Sequence, residues 1–528
     1  MKGYLVLIIL WYMLFSPLFA TNNMSVIAEF QGEHHNSKFG YQIESLDYNH
    51  DGYTDLVVFS HSFGYAAGVS GSRGKVYIYH GGSSFNSDTS PSVTLEGTTT
   101  RVLLYIFNAG DINGDGFEDL CIYDYSPQPS HEDRKLSFYF GGNESLDNPD
   151  HVISIPYNSI VLRVSKMGDF DGDGYDDVGL HYDLSPPHIK KFSVMWGGSF
   201  EEHVVLEYQY NNAISSISGV GDLDGDGYRD FALGFTNPDP ETGYHMIRIF
   251  HGNPERDLSD FDILIQTQEP ITKDSRPIGD VNGDGFDDFM GFYSNAGMHA
   301  WLGGEFIDYN TPSFNITPGW SGDEASRCLK YGDLNGDGFD DVIGTNYYQR
   351  KFSVWMGSEQ MNGTSDLIVS RTSFDNFGYG IATGDFNADG YCDVAISAPK
   401  PEYSNSPNFP GYLWIYAGNH LLEDTSVNND DPLLLPPPQL SIRVFPNPLR
   451  REEIVQMEIK TLSAPQGDQA ILRIFNSRGQ QIYHQEHITL SGKSTTLPLQ
   501  LQGLANGVYI CQLQHGHTVT TTKITIMK

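Results

Sequence analysis

The sequence predicts an all-β fold class: a seven-bladed β-propeller followed by a small Ig-like β-sandwich. Three observations predict it. A nine-residue acidic pattern recurs seven times between residues 47 and 393. Each copy is followed by an aromatic strand that ends in glycine, again seven times. After a proline-rich stretch, the last ~90 residues hold seven short apolar runs separated by turn signals. Composition agrees. A chain of 528 residues exceeds one ordinary domain unless repeats build it, and Gly 56 with Tyr 31 and Phe 31 favours turn-rich β structure. Lys+Arg 31 against Asp+Glu 67 leaves a formal charge of -36. Repulsion then argues against nucleic acid or an anionic membrane surface as a partner. So acidic a chain must repel itself or hold cations.

Residues 1–20 read as a secretory signal peptide. Lys2 is the charged start, Tyr4 to Phe15 the apolar run, and Leu18-Phe19-Ala20 the cleavage site. The run is short for a membrane span, and no later stretch reaches spanning length. The mature chain is expected to have no transmembrane span. Residues 21–420 then hold the repeats.

The pattern is D-x-[DN]-x-D-G-[FY]-x-D, spaced at roughly propeller-blade length. Its oxygen-bearing side chains stand at positions 1, 3, 5 and 9. They are Asp47, Asn49, Asp51 and Asp55 in the first copy, then Asp111, Asn113, Asp115 and Asp119. The third and fourth copies offer Asp169, Asp171, Asp173 and Asp177, then Asp222, Asp224, Asp226 and Asp230. The fifth has Asp280, Asn282, Asp284 and Asp288, and the sixth Asp333, Asn335, Asp337 and Asp341. Asp385, Asn387, Asp389 and Asp393 complete the set. Alternate positions in a tight loop turn their oxygens toward one centre, and a hard cation such as calcium takes about six to eight oxygens. Glycine at position 6 permits the sharp turn. Position 7 would add a backbone carbonyl from Tyr53, Phe117, Tyr175, Tyr228, Phe286, Phe339 and Tyr391, with the rings packing into the core. Asp at position 9 would close the shell with two oxygens. Packing several carboxylates together without a cation is strongly repulsive. About seven calcium ions are expected, and the folded state is expected to depend on them.

Strands flank each loop. Phe39–Ile43 reads as a first strand, and Leu56–Phe59 or Val394–Ile396 as a second. The aromatic third strands are VYIYHGG, SFYFGG, SVMWGG, IRIFHGN, HAWLGG, SVWMGS and LWIYAGN. Ser92–Leu95, Val204–Glu207 and Asp366–Val369 read as fourth strands. None follows the seventh aromatic strand, so Ser25–Phe30 is expected to complete the last blade and close the ring. These repeats resemble the FG-GAP repeats of integrin α-subunit propellers and of bacterial calcium-binding propellers. Phe39-Gly40 and Phe377-Gly378 match the FG element, and Ser397-Ala398-Pro399 approximates the GAP element; the middle repeats lose both. The resemblance implies calcium at positions 1, 3, 5, 7 and 9 of each loop, and binding or adhesion more often than catalysis. Ligands are expected at the end away from the metal loops. There Ser60–Gly74 and Ser397–Gly411 carry Tyr65, Arg73, Tyr403, Asn405, Asn408 and Phe409, and a sugar or peptide groove is the expectation.

Residues 421–439 form an acidic, proline-rich linker. Residues 440–528 read as a sandwich whose strands are Ile442–Pro446, Val455–Ile459, Ala470–Phe475, Ile482–His487, Thr495–Leu499, Val508–Gln514 and Thr518–Ile526. Val444-Phe445-Pro446-Asn447-Pro448, Ile474-Phe475-Asn476-Ser477-Arg478-Gly479 and Gly503-Leu504-Ala505-Asn506-Gly507-Val508-Tyr509 resemble the C-terminal sorting domain of the type IX secretion system. That resemblance implies recognition by the export machinery and a secreted or outer cell-surface location.

Cys121, Cys328, Cys392 and Cys511 are scattered. Cys328 and Cys392 sit in neighbouring repeats, where pairing is open, but free and mostly buried thiols are the expectation. No GxSxG, HExxH or Walker loop occurs. The reading is therefore a non-enzymatic binding module with an extracellular protein or glycan ligand. The alternative is a surface glycan-degrading lyase or hydrolase on the same scaffold. A deep central cleft lined by basic and aromatic groups would favour that alternative.

Overall fold

Second strands of the repeats read as unbroken apolar runs, and such runs need cover on both faces. The structure, a computed structural model, provides it. It describes residues 24–422 and 440–526 except for segments within them, the longest being 64–72, 236–243, 317–328, 400–408, 446–454 and 500–506. Along Asp55–Ser60, Leu56 and Val58 pack with Tyr77, Leu413 and Ile415 on one side. Val57 and Phe59 pack with Ile106, Leu120 and Ile122 on the other. Apolar cores thus lie between neighbouring sheets, and second strands such as Asp55–Ser60, Asp230–Phe235, Asp341–Asn346 and Asp393–Ala398 are buried from end to end.

Among the described residues up to 422, seven four-stranded antiparallel sheets follow one another along the chain. The first consists of Gln42–Leu46, Asp55–Ser60, Lys75–Tyr79 and Val93–Glu96 in that order. The innermost strands neighbour one another in sequence: Gln42–Leu46, Val102–Gly110, Ile160–Gly168, Ile214–Gly221, Ile271–Gly279, Leu329–Gly332 and Ile381–Gly384. The last of these also neighbours the first. The ring is closed around a central channel, which is the architecture of a β-propeller. Val26–Gln31 is the closing strand and pairs with Tyr412–Tyr416 in the seventh sheet. Phe30 spans the closure, with its ring 4.9 Å from Tyr79 and 5.8 Å from Phe85.

Two local expectations are corrected. The first strand begins at Gln42 rather than Phe39. Phe39-Gly40 instead forms a turn: Gly40 has φ +77, and the Phe39 ring is buried 5.5 Å from Tyr77. The rings at position 7 do not enter the core. Tyr53 is exposed and the other six are half-buried. The buried residue is at position 2: Tyr48, Ile112, Phe170, Leu223, Val281, Leu334 and Phe386. The signal peptide, Tyr65, Tyr403, Asn405, Asn408, Cys328 and most of the linker lie outside the described residues. Cys121 and Cys511 are buried free thiols, and Cys392 is a half-buried one.

The chain divides into two compact units, Met1–Ser426 and Val427–Lys528. In the second, Leu440–Phe445, Val455–Thr461 and Ser494–Leu499 form a three-stranded sheet. Gln481–Ser491, Gln466–Asn476, Gly507–His515 and Thr518–Ile526 form a four-stranded one. Met457 and Ile459 from the first meet Leu472, Ile474, Leu513 and Ile524 from the second in one core.

Candidate metal centre

Each acidic loop joins the end of a first strand to the start of a second, so all seven lie at one end of the propeller. Short polar side chains with nearby backbone donors fold into successive side-chain-to-backbone turns. In every loop the position 1 carboxylate accepts the N–H of the position 6 glycine, at 2.8–3.1 Å. The position 3 oxygen accepts the position 5 N–H. The position 5 carboxylate accepts the position 7 N–H. One oxygen at positions 3 and 5 is thereby pinned by the backbone, and at position 1 both are, the other accepting from position 4 or 5.

Position 9 does more than the spacing suggests. It is the first residue of every second strand, and it is buried. One oxygen accepts the N–H of position 2, at 2.8–3.2 Å. The other accepts the N–H of the glycine that ends the third strand, at 2.7–3.1 Å. A carboxylate offers about four lone-pair sites, so each oxygen keeps one for a cation. Burial, with nearby carboxylates adding to it, pushes Asp55 up to about 7 and Asp119, Asp177, Asp288 and Asp393 up to about 8. Asp341 is raised as well, chiefly by burial. Buried carboxylate oxygens of this kind, short of positive charge, fit a hard divalent cation.

Ligand atoms of Asp169, Asp171 and Asp177 lie within 4.8 Å of one another, as do those of Asp222, Asp224 and Asp226. In the loops with Asn at position 3, the Asn amide donates to the position 5 carboxylate instead, as Asn113 does to Asp115 at 2.9 Å. Two neighbours absent from the sequence reading enter the central loops. His251 belongs to the IRIFHGN strand end and places Nδ1 3.2 Å from Asp230 and 3.4 Å from Asp224. Burial opposes its charge, but Asp230 and Asp224 raise it to about 9. Arg256 reaches the third loop, with Nε on Asp171 and Nη2 2.8 Å from Asp173.

Position 8 was also missed. Its N–H donates to the position 1 carbonyl of the preceding loop at all seven junctions, at 2.9–3.4 Å. Glu118, Asp176, Asp287 and Asp340 add a second bond, accepting the position 1 N–H of the preceding loop. Position 7 rings cover the loop before them. The Tyr175 ring leaves only 2.5 Å to a Cβ at Gly114, where φ is +72, so position 4 needs glycine there.

The opposite end of the channel holds a cavity of about 950 Å³. It is lined from the starts of first strands and the ends of second strands, by Tyr41, Tyr105, Tyr123, Tyr125, Tyr347 and Tyr379 among others. Arg134, Arg163, Arg276 and Lys330 also line it, against one acid, Glu44.

Family models match the first and last repeats and the tail of the chain. The FG-GAP repeat family matches residues 39–79 and 377–416, and the FG-GAP-like repeat family matches 333–396. The secretion system C-terminal sorting domain matches residues 443–527. Among curated proteins, the chain is 27% identical to integrin alpha-PS3 of Drosophila melanogaster over 29% of its length. It is 28% identical to human integrin alpha-6 and 36% to its Gallus gallus counterpart, each over 29% of this chain. The matched stretches span only 14%, 13% and 14% of those relatives. Among solved structures, the Cps50 (Swd1) β-propeller domain of Myceliophteria thermophila aligns over 75% of this chain and 99% of its own, with 9% identity and a TM-score of 0.42. The β-propeller domain of the Trilobed protease from Pyrococcus furiosus aligns over 62% of this chain and 97% of its own, with 10% identity and a TM-score of 0.29. The sorting tail indicates export. No helix among the described residues is long and apolar enough to cross a membrane.

Proposed function

We propose that this protein is a calcium-stabilised propeller, spanning residues 21–420, that acts as an extracellular binding or adhesion module. Residues 440–528 deliver it through the type IX machinery to a secreted or outer cell-surface location. The supporting observation is a division of labour between the ends of the channel. The acidic loops at one end are tied to the backbone and to one another, which suits ions that hold the ring together. The tyrosine-lined cavity at the other end is built from different residues and is left for a ligand. Positions 1, 3, 5 and 9, with the position 7 carbonyl, would hold each ion. The ion supplies charge neutralisation, and this chain's residues supply the geometry.

The cavity lining also supports a second reading, a surface glycan-degrading lyase or hydrolase, because it sets cationic and phenolic groups in one cleft. A glycan array run beside lyase and hydrolase assays separates the two. Retention without turnover is expected for the binding module; release of product from a retained glycan overturns it in favour of the enzyme.

A further inference from the structure

Resting on the binding reading, we infer that the channel cavity takes an acidic oligosaccharide. Its tyrosines form an arc around the mouth. Tyr347 lies 5.5 Å from Tyr379, and Tyr379 lies 5.5 Å from Tyr41. Tyr105 is 40% exposed and stacks at 6.4 Å, planes 10° apart, on the buried Tyr123, whose hydroxyl accepts from Arg134 at 3.0 Å. Phenol rings present flat apolar faces to the CH faces of sugar rings and hydroxyls to sugar hydroxyls. Charge sets the sign of the ligand. In a chain of formal charge -36, this lining carries Arg134, Arg163, Arg276 and Lys330 against Glu44 alone, and Lys330 sits 3.4 Å from Glu44. Cations gathered in one cleft focus the field on an anion. Guanidinium groups match carboxylates in planar, two-point pairs. Sugar carboxylates satisfy both halves of the lining.

Calorimetry of the calcium-loaded full chain with tetragalacturonate tests this, with galactotetraose and a tetraglutamate peptide as comparators. Tetragalacturonate is expected to bind and the neutral sugar is not. Arg276→Gln and Tyr379→Ala should each weaken it by about tenfold or more, the scale of one charge-assisted contact, with thermal midpoints unchanged. Equal binding of galactotetraose, binding of the peptide alone, or no binding of tetragalacturonate overturns the acidic-sugar assignment. Hits for other ligands on the array would still leave the binding module standing.

Independently, we infer that Arg256 occupies the ligand oxygens of Asp171 and Asp173 so that the third loop takes no ion, against the expectation of about seven. Arg256 stands four residues after the glycine that ends its third strand. The corresponding residues are Phe85, Ser145, Glu201, Ile307, Met361 and Leu422, none of them cationic. Phe85 stacks 6.1 Å from Phe386 of the preceding loop, and Leu422 is buried. Arg256 instead engages Asp171 and Asp173 with its guanidinium 4.8 Å over the Trp196 ring. The Asp171 side chain is 2% exposed, so the oxygen that Arg256 takes is a deep one. Equilibrium dialysis with metal analysis reads the ion count directly. Arg256→Met is expected to bind one calcium more per chain than the wild type, and Asp171→Asn to bind as many as the wild type. An unchanged count in Arg256→Met, or one ion lost in Asp171→Asn, overturns it.

Discussion

Asp at position 9 ties three pieces of chain together, because its two oxygens bond position 2 of its own loop and the glycine of the third strand. Asp119→Ala orphans the buried N–H groups of Ile112 and Gly141. Each such group costs about 1–3 kcal/mol, so a loss of about 2–6 kcal/mol is expected in denaturant titrations, even with chelator present. Asp115→Ala, at a more exposed position, should cost less than about 1 kcal/mol under chelation and more with calcium. Equal losses for both variants in chelator would remove the structural role given to position 9. His181 offers a test in pH. It is buried, and burial with Lys190 and Arg163 nearby lowers it from 6.5 to about 4, Asp183 opposing. The unfolded chain takes up that proton from about pH 6.5 downward and the folded chain does not. Stability is therefore full above 6.5 and lost as pH falls toward 4, by about 3 kcal/mol. His181→Phe should be less pH-sensitive than the wild type by that amount, and parallel pH profiles would refute the assignment. At this scale the loop's side-chain-to-backbone turns were legible because their spacing is local. Arg256, His251 and the position 8 bonds were not, because their partners lie in other repeats.

At the scale of the element, the strand that closes the ring is the first one described, and it is the farthest in sequence from its neighbours. Its existence was legible as a missing fourth strand in the seventh repeat. Its energetic role follows from Phe30, which is 6% exposed and packs against the first sheet across the closure. Phe30→Ala is expected to cost about 3–5 kcal/mol by leaving a cavity. The cost should appear as a lower denaturation midpoint, and a change below about 1 kcal/mol would mean that the closure does not depend on this contact. The first strand's start was misplaced by the sequence because Phe39 looks like a strand residue; the turn at Gly40 redirects it into the core. The position 7 rings were misplaced for a related reason. An aromatic beside a strand reads as core, yet here the neighbouring loop offers a glycine to cover.

For the whole molecule, the loops are coupled around the ring by seven backbone bonds from position 8 to the preceding position 1. Loss of an ion at one loop should therefore loosen the frame of the next. An ion held at 100 times its Kd contributes about 2.7 kcal/mol. Chelation should thus lower Tm steeply, and added calcium should raise it with concentration; a Tm indifferent to chelator would sink the metal assignment. The amino-acid order alone determined the repeat, its acidic loops, the all-β architecture and the export tail, because each is written in short-range spacing. Only the tertiary structure decided what faces the channel. The tyrosine arc draws single residues from separate sheets, and no local period marks side chains that meet only when a ring closes.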